Sequence, residues 1–257
     1  MFVIGAGGGD NAAHMGRSVV HNPTLRCTRC QHVPRWCVCE GLRAAGCPVA
    51  VDVMMHSREY FRPSSTGHVI QRVVEGARTH VWRHDLAPRR EDVVREGREL
   101  WVLHPLGEPM PAEVKPEQLQ VLLLDGSWGE AADMKKTVEG WGRRVSLPMT
   151  GKSRYWLRTQ QGPGQFSTME ALLFLLNALG LKAEHDALSV QLELHVYAGL
   201  RTRGQSVLAA DFLATSPLRE VMPEVIARMH PQSPEEKAAF SALLLERTAR
   251  ARVLTDL

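Results

Sequence analysis

The chain of 257 residues lacks several features that would set its class at once. No apolar run approaches the roughly 18 residues needed to cross a bilayer. The longest candidate, Ala171 to Leu181, is broken by Asn177 and Gly180, so no membrane span is expected. Met1 to His14 has neither a basic start nor an apolar stretch of signal-peptide length, which argues against secretion and makes the cytoplasm the expected compartment. There is no internal repeat. Neither sign of charge dominates: 31 basic residues face 28 acidic ones, and a net charge of +3 does not by itself demand a polyanionic partner. Cysteine is missing before position 27 and after position 47. With 44% hydrophobic and 23% charged residues, the composition excludes disordered, collagen-like and coiled-coil classes and leaves a globular chain able to bury a sizeable core.

What is present is local. All five cysteines fall between 27 and 47, and Cys27, Cys30, Cys37 and Cys39 spell C-x2-C-x6-C-x-C. Two close pairs can each turn their sulfurs toward one point and complete a tetrahedral thiolate shell, for which zinc is the natural ion. The other readings are two disulfides or unrelated buried thiols; a reducing cytoplasm disfavours the first, and the surrounding Arg and His residues disfavour the second. A full thiolate shell has no open position, so the site would be structural. Cys47, beside Pro48 at the start of an apolar run, reads as a small buried hydrophobe. Arg17 to Arg43 holds five arginines and one acid, Glu40, and is a basic patch. Gly5 to Gly9 follows only a few apolar residues and reads as part of a flexible tail over residues 1–22, ahead of a cysteine module over 23–47.

Past the cysteines, short apolar runs alternate with helical patterns. Val49 to Met55, Thr79 to Trp82, Leu100 to Leu103, Val121 to Leu124 and Val145 to Leu147 read as strands; His68 to Gly76, Trp128 to Gly140, Thr168 to Leu179 and Ala183 to Arg201 read as helices. The strand runs lack polar alternation, which predicts an α/β core over 48–210: a mostly parallel sheet with helices on both faces and ligands at the carboxyl ends of its strands. Residues 211–257 read as a helical extension, two helices separated by Pro-rich turns.

Several polar clusters stand just past those strand ends. They are His56-Ser57-Arg58-Glu59, then Ser64-Ser65-Thr66-Gly67 opening a helix whose free N–H groups suit an anion, then Leu103-His104-Pro105, then Asp125-Gly126-Ser127-Trp128. Asp125-Gly126 with Ser127 is also what a plain turn with an N-cap looks like. Later come the basic, aromatic-interleaved stretch Lys152 to Arg158 and the cap-like Ser167-Thr168-Met169-Glu170-Ala171.

In this order the pieces resemble the DTW-domain family of tRNA-uridine aminocarboxypropyltransferases, over Cys27 to about Ala171. The carriers are the four cysteines, His56, Glu59 and Thr66-Gly67, Leu103-His104-Pro105, the D-x-[ST]-W signature at Asp125 to Trp128, Ser153 to Arg158, and S-T-x-E-A at Ser167 to Ala171. Ser127 stands where the family signature carries Thr, which retains the hydroxyl and loses a methyl.

The resemblance implies a SPOUT-related fold, in which the chain forms a deep trefoil knot around an S-adenosylmethionine (SAM) pocket. It implies transfer of the 3-amino-3-carboxypropyl group of SAM to N3 of a tRNA uridine, leaving methylthioadenosine. Asp125, Ser127 and Trp128 become the catalytic candidates: Asp125 as base or as partner of the substrate ammonium, Ser127 as the hydroxyl orienting Asp125 or a SAM carboxylate, and Trp128 as a pocket wall rather than a core residue. SAM is expected to meet His104, Pro105, Leu124, Asp125, Ser127, Pro148, Tyr155, Arg158, Ser167, Thr168 and Glu170. Arg158 would hold the migrating carboxylate, or be held by Glu170. Arg26, Arg29, Arg35, Arg58, Lys152 and Arg154 are the expected contacts to tRNA phosphates. Two other classes stay open: a SPOUT-like SAM-dependent RNA methyltransferase and a non-catalytic zinc RNA-binding protein. Both a monomer and a homodimer are compatible with the sequence.

Overall fold

A computed structural model describes residues 24–158 and 164–254, so the tail expected over 1–22 lies outside the described residues. The strands are β1 (Thr24–Cys27), β2 (Ala50–His56), β3 (Arg78–Trp82), β4 (Glu99–Pro109), β5 (Leu119–Asp125), β6 (Arg143–Ser146) and β7 (Ala251–Leu254). The helices are α1 (Ser57–Tyr60), α2 (Gly67–Val73), α3 (Arg90–Val93), α4 (Trp128–Thr137), α5 (Thr168–Ala178), α6 (Lys182–Thr202), α7 (Ser206–Ala214), α8 (Leu218–Val221), α9 (Pro223–Met229) and α10 (Pro234–Ala249).

Strands β2 to β6 form one parallel sheet in the order β3-β2-β5-β4-β6. The pleat sends alternate residues to opposite faces, and here both faces are covered. Val51, Val53 and Met55 of β2 with Val121 and Leu123 of β5 pack against α2, α5 and α6, whereas Met54 and Leu122 face Met134 and Val138 of the α4 region. That is why the strand runs are apolar throughout rather than alternating, and the α/β architecture with helices on both faces is the one expected.

Strand β4 departs from the expected short run. Leu103 and Glu108 both pair with Val145 of β6, so His104 to Gly107 form a bulge pushed out of the ladder. Pro105 has no N–H to give to a ladder, and a Cβ on Gly107 would come within 2.5 Å of the Val145 carbonyl carbon, so the sequence of the bulge suits its path.

The C-terminal region also differs from the two helices expected. It holds α7 to α10 and ends in β7, which pairs antiparallel with β1 at the edge of the cysteine module. Arg247 of α10 reaches the same module through Glu40 Oε1 at 2.9 Å, and Arg228 of α9 binds Glu40 Oε2 at 2.5 Å. Among the described residues, no helix is long and apolar enough to cross a membrane.

Candidate functional site

The bulge of β4 and the carboxyl ends of β5 and β6 open into a cavity of about 470 Å³. Its walls are mainly apolar, with Leu103 from β4 beside the bulge, Leu124 from the end of β5, Leu147 and Met149 from the segment after β6, Ala131 from α4 and Ala171 from α5. His104, Trp128, Lys135, Arg158, Ser167 and Thr168 supply its polar and aromatic groups. Trp128 is 59% exposed, so the indole is a wall and not a core residue. Seven of the expected SAM contacts or catalytic residues therefore share one cavity: His104, Pro105, Leu124, Trp128, Arg158, Ser167 and Thr168.

Asp125 is buried beside this cavity at the end of β5. Ser65 Oγ donates to its Oδ2 at 2.6 Å, and the Thr168 hydroxyl donates to Oδ1. Gly67 makes the approach possible, since a Cβ there would lie 2.6 Å from Oδ2. The turn that opens α2, expected to receive an anion, is thus filled by a carboxylate of the chain itself. Among the described residues no cation lies within ion-pair distance of Asp125. Glu59 is a second buried acid nearby; burial, and then the charge of Asp125, push its carboxyl up, while Arg62 binds it at 2.5 Å.

Ser127 does not hold Asp125. Its hydroxyl accepts from the Glu130 N–H at 3.4 Å while Glu130 Oε2 accepts from the Ser127 N–H at 2.7 Å, a capping box that starts α4. The hydroxyls that orient Asp125 are those of Ser65 and Thr168. Pro148 is exposed between Leu147 and Met149, which line the cavity in its place. Tyr155 is buried, donates to the Ser64 carbonyl at 2.5 Å, and is pushed up to about 12 by burial, so it remains a donor. Glu170 is also buried and accepts from Ser153 Oγ, the Arg154 N–H and the Ser167 N–H. These bonds tie the 153–155 loop to α5 and leave Arg158 free of a carboxylate partner among the described residues. His104 is lowered by burial and then by Lys135 and Arg144; its Nδ1 accepts from the Leu106 N–H at 3.0 Å, which places its proton on Nε2.

The four cysteines converge as their spacing predicts. Their Sγ atoms all lie within 4.8 Å of one another, with Cys27–Cys39 at 3.5 Å and Cys30–Cys37 at 3.6 Å. A tetrahedral zinc site with Zn–S bonds of about 2.3 Å needs edges of about 3.8 Å, so the set fits that ion. The Cys27 thiol is pulled down by hydrogen bonds from Cys30, Cys37 and Cys39, while each of those three is pushed up, first by Cys27. Thiolates packed this closely disfavour one another's ionisation, and a cation is what would allow all four to ionise. Cys47 stands outside the cluster, packed at the edge of the core and raised by burial.

The basic residues divide. The Arg154 guanidinium binds both Glu193 oxygens at 2.7 Å and Thr215 Oγ1 at 3.0 Å. Arg35 donates to the Met229 carbonyl at 2.9 Å and lies over the Trp36 and Phe240 rings at 4.1 and 4.3 Å. Half-buried Arg26 donates to the Gln31 carbonyl at 3.1 Å. Arg35 and Arg154 thus clamp the protein to itself. Arg29, Arg58 and Lys152 are exposed and have no ion pair among the described residues. Half-buried Lys135 and exposed Arg144 and Arg158, near the cavity mouth, also have no ion pair among the described residues, and the first two escaped the sequence reading because nothing in their local sequence marks them.

No solved structure matches the chain. A family model described as the DTW domain matches residues 24–198, which include the cysteine cluster, the whole five-stranded sheet, Asp125 and both of its hydroxyl partners. Such a match is consistent with a tRNA-modifying role. Since it covers well over half of the sequence, the chain belongs to the DTW-domain family.

Proposed function

We propose that the protein transfers the 3-amino-3-carboxypropyl group of SAM to N3 of a uridine in tRNA. The observation that carries this reading is a buried carboxylate without a cationic partner among the described residues, set by two hydroxyls against a cavity large enough for a nucleoside. SAM supplies the electrophilic carbon: its S–C bond breaks, leaving methylthioadenosine, as the N3–C bond forms. Uridine N3 carries a proton at neutral pH, and Asp125 accepts it, with Thr168 at the cavity wall as the hydroxyl between carboxylate and cavity. The leucine and alanine walls suit an adenine ring, Trp128 offers a stacking face, and Arg158 is the guanidinium available for the migrating carboxylate. Cys27, Cys30, Cys37 and Cys39 hold a structural zinc ion. Arg29, Arg58 and Lys152, with Lys135 and Arg144 near the cavity mouth, carry the RNA phosphates.

Incubating the protein with SAM and total tRNA, followed by mass spectrometry of nucleosides and sulfur by-product, tests this. The expected products are 3-(3-amino-3-carboxypropyl)uridine and methylthioadenosine. A methylated nucleoside with S-adenosylhomocysteine would establish the methyltransferase reading instead. Tightly bound tRNA with neither product would favour the non-catalytic one.

A further inference from the structure

The cysteine module and the Asp125 cradle are far apart in sequence, and a buried chain of hydrogen bonds joins them. His32 lies between Cys30 and Cys37 and is 3% exposed; its Nε2 stands 3.2 Å from Nδ1 of His195, in the middle of α6 and equally buried. His195 Nε2 in turn stands 3.4 Å from the Ser64 carbonyl. A carbonyl only accepts, so His195 carries its proton on Nε2, its Nδ1 accepts, and His32 must donate from its own Nε2. The Ser64 carbonyl also accepts from Tyr155, which uses both of its lone pairs. The next residue, Ser65, donates to Asp125, and Thr66 Oγ1 accepts from the Met169 N–H at 3.2 Å.

Each link acts on the peptide that aims the Ser65 hydroxyl. Rotation of the Ser64–Ser65 peptide would break the His195 and Tyr155 bonds and move Ser65 off the carboxylate. We propose that His195, held in one tautomer by His32 of the cysteine module, is a positioning residue for Asp125, so that the metal module braces the reaction centre as well as its own loop. This rests on the function proposed above for Asp125, but the brace itself can be read without any turnover.

The test uses the full-length protein with its metal and three variants. His195→Leu keeps the volume and loses both hydrogen bonds, His195→Gln retains one donor and one acceptor, and His32→Gln retains the donor from the module side. Zinc content and thermal unfolding show whether each variant is folded. Hydrogen exchange over residues 64–67 reads the brace directly: His195→Leu should speed exchange there at least about tenfold, and His195→Gln should restore it. With tRNA and SAM, His195→Leu should lower kcat at least about tenfold while leaving SAM affinity within about twofold, and His195→Gln should recover most of kcat. Should His195→Leu fail to fold, a fourth variant, His32→Leu, which removes the donor from the module side, carries the test with His195→Gln: His32→Leu should speed exchange at 64–67 while His195→Gln and His32→Gln keep it near wild type, and wild-type exchange in His32→Leu would overturn the brace. Wild-type exchange and kcat in His195→Leu would show that the histidines only fill the core. If the wild-type protein forms no modified uridine, the reaction reading fails while the exchange result still decides the brace.

Discussion

Asp52 and Asp125 lie on the adjacent strands β2 and β5, with exposures of 0% and 2%, and they are surrounded in different ways. Asp52 accepts from Arg78 Nε at 2.8 Å, His80 Nε2 at 2.7 Å, Arg95 Nε at 2.8 Å and Gln120 Nε2 at 2.9 Å. Burial alone would raise its pKa, but the hydrogen bonds from His80 and Arg78 and the charge of Arg95 hold it below the usual carboxylate range. Asp125 receives two neutral hydroxyls and no cation among the described residues. A buried charge costs several kcal/mol unless it is compensated. Asp52 is fully compensated and serves stability, tying β2 to β3, to the α3–β4 connection and to β5. Asp125 has no such compensation among the described residues and stands against a cavity, which is the arrangement a substrate proton or ammonium can use.

The largest effect that could break this comparison is on turnover. Asp125→Asn should lower single-turnover rate at saturating SAM at least about a hundredfold, the usual scale for a general base. Because Ser65 and Thr168 can rotate to meet an amide, its stability should stay within about 1 kcal/mol of wild type. Loss of SAM binding in place of turnover would assign Asp125 to the substrate ammonium.

The complementary variant, Asp52→Asn, should leave turnover per folded molecule unchanged and destabilise by about 3 kcal/mol, the lower end for breaking a buried ionic network, since Arg78 is partly exposed and can turn to water. Urea unfolding at neutral pH measures it. Equal stability losses in the two variants would erase the distinction between them.

The third effect is smaller and depends on pH. The folded-state pKa of Asp52 lies below its unfolded value near 3.9, so its contribution is complete above about pH 4 and is lost as the pH falls through the lowered folded value. The stability gap between wild type and Asp52→Asn should therefore hold from about pH 7 to 5 and narrow below about pH 4. A gap that stays constant into strong acid would show that the surrounding cations do not favour the charged form.

The smallest effect extends the contrast to cations. Lys135→Ala and Arg144→Ala should each reduce the slope of log tRNA affinity against log salt by about 0.7 to 0.9, as lost phosphate contacts do. Arg154→Ala should leave the slope unchanged and lower the unfolding temperature, because its charge is already paired with Glu193. A reduced slope in Arg154→Ala would return that residue to the RNA surface.

Much of this was legible in local pattern. The C-x2-C-x6-C-x-C spacing converges within 4.8 Å because each cysteine pair is close in sequence, so short loops suffice to aim the sulfurs. The strand ends at His56 and Asp125 were legible because a parallel strand covered on both faces is an unbroken apolar run that stops where burial stops, whereas β4 runs past Leu103 to Pro109 through its bulge. Ser127 was legible as a hydroxyl beside Asp125, but its capping role outweighed the orienting one: Glu130 three residues on completes a box entirely within the first turn of α4. Arg35 was read as a phosphate contact from the basic patch and Arg154 from its stretch of interleaved aromatics; that both also clamp internal partners follows only from Met229 and Glu193, 194 and 39 residues away.

What the sequence determined by itself is therefore what depends on near neighbours: the alternation of strands and helices, the capping boxes at Ser127, Ser167 and Ser233, the cysteine shell, and the presence of an acid at the end of β5. The tertiary structure alone decided which hydroxyls reach that acid, that β7 closes onto β1, and that two buried histidines 163 residues apart share a hydrogen bond. The physical reason is the range of the forces. Backbone hydrogen bonding and capping act within a few residues and leave a periodic trace in the chain. The pairing of buried polar groups is instead imposed by the cost of leaving any of them unsatisfied, whatever their separation in sequence, and it takes effect only once packing has removed water from around them.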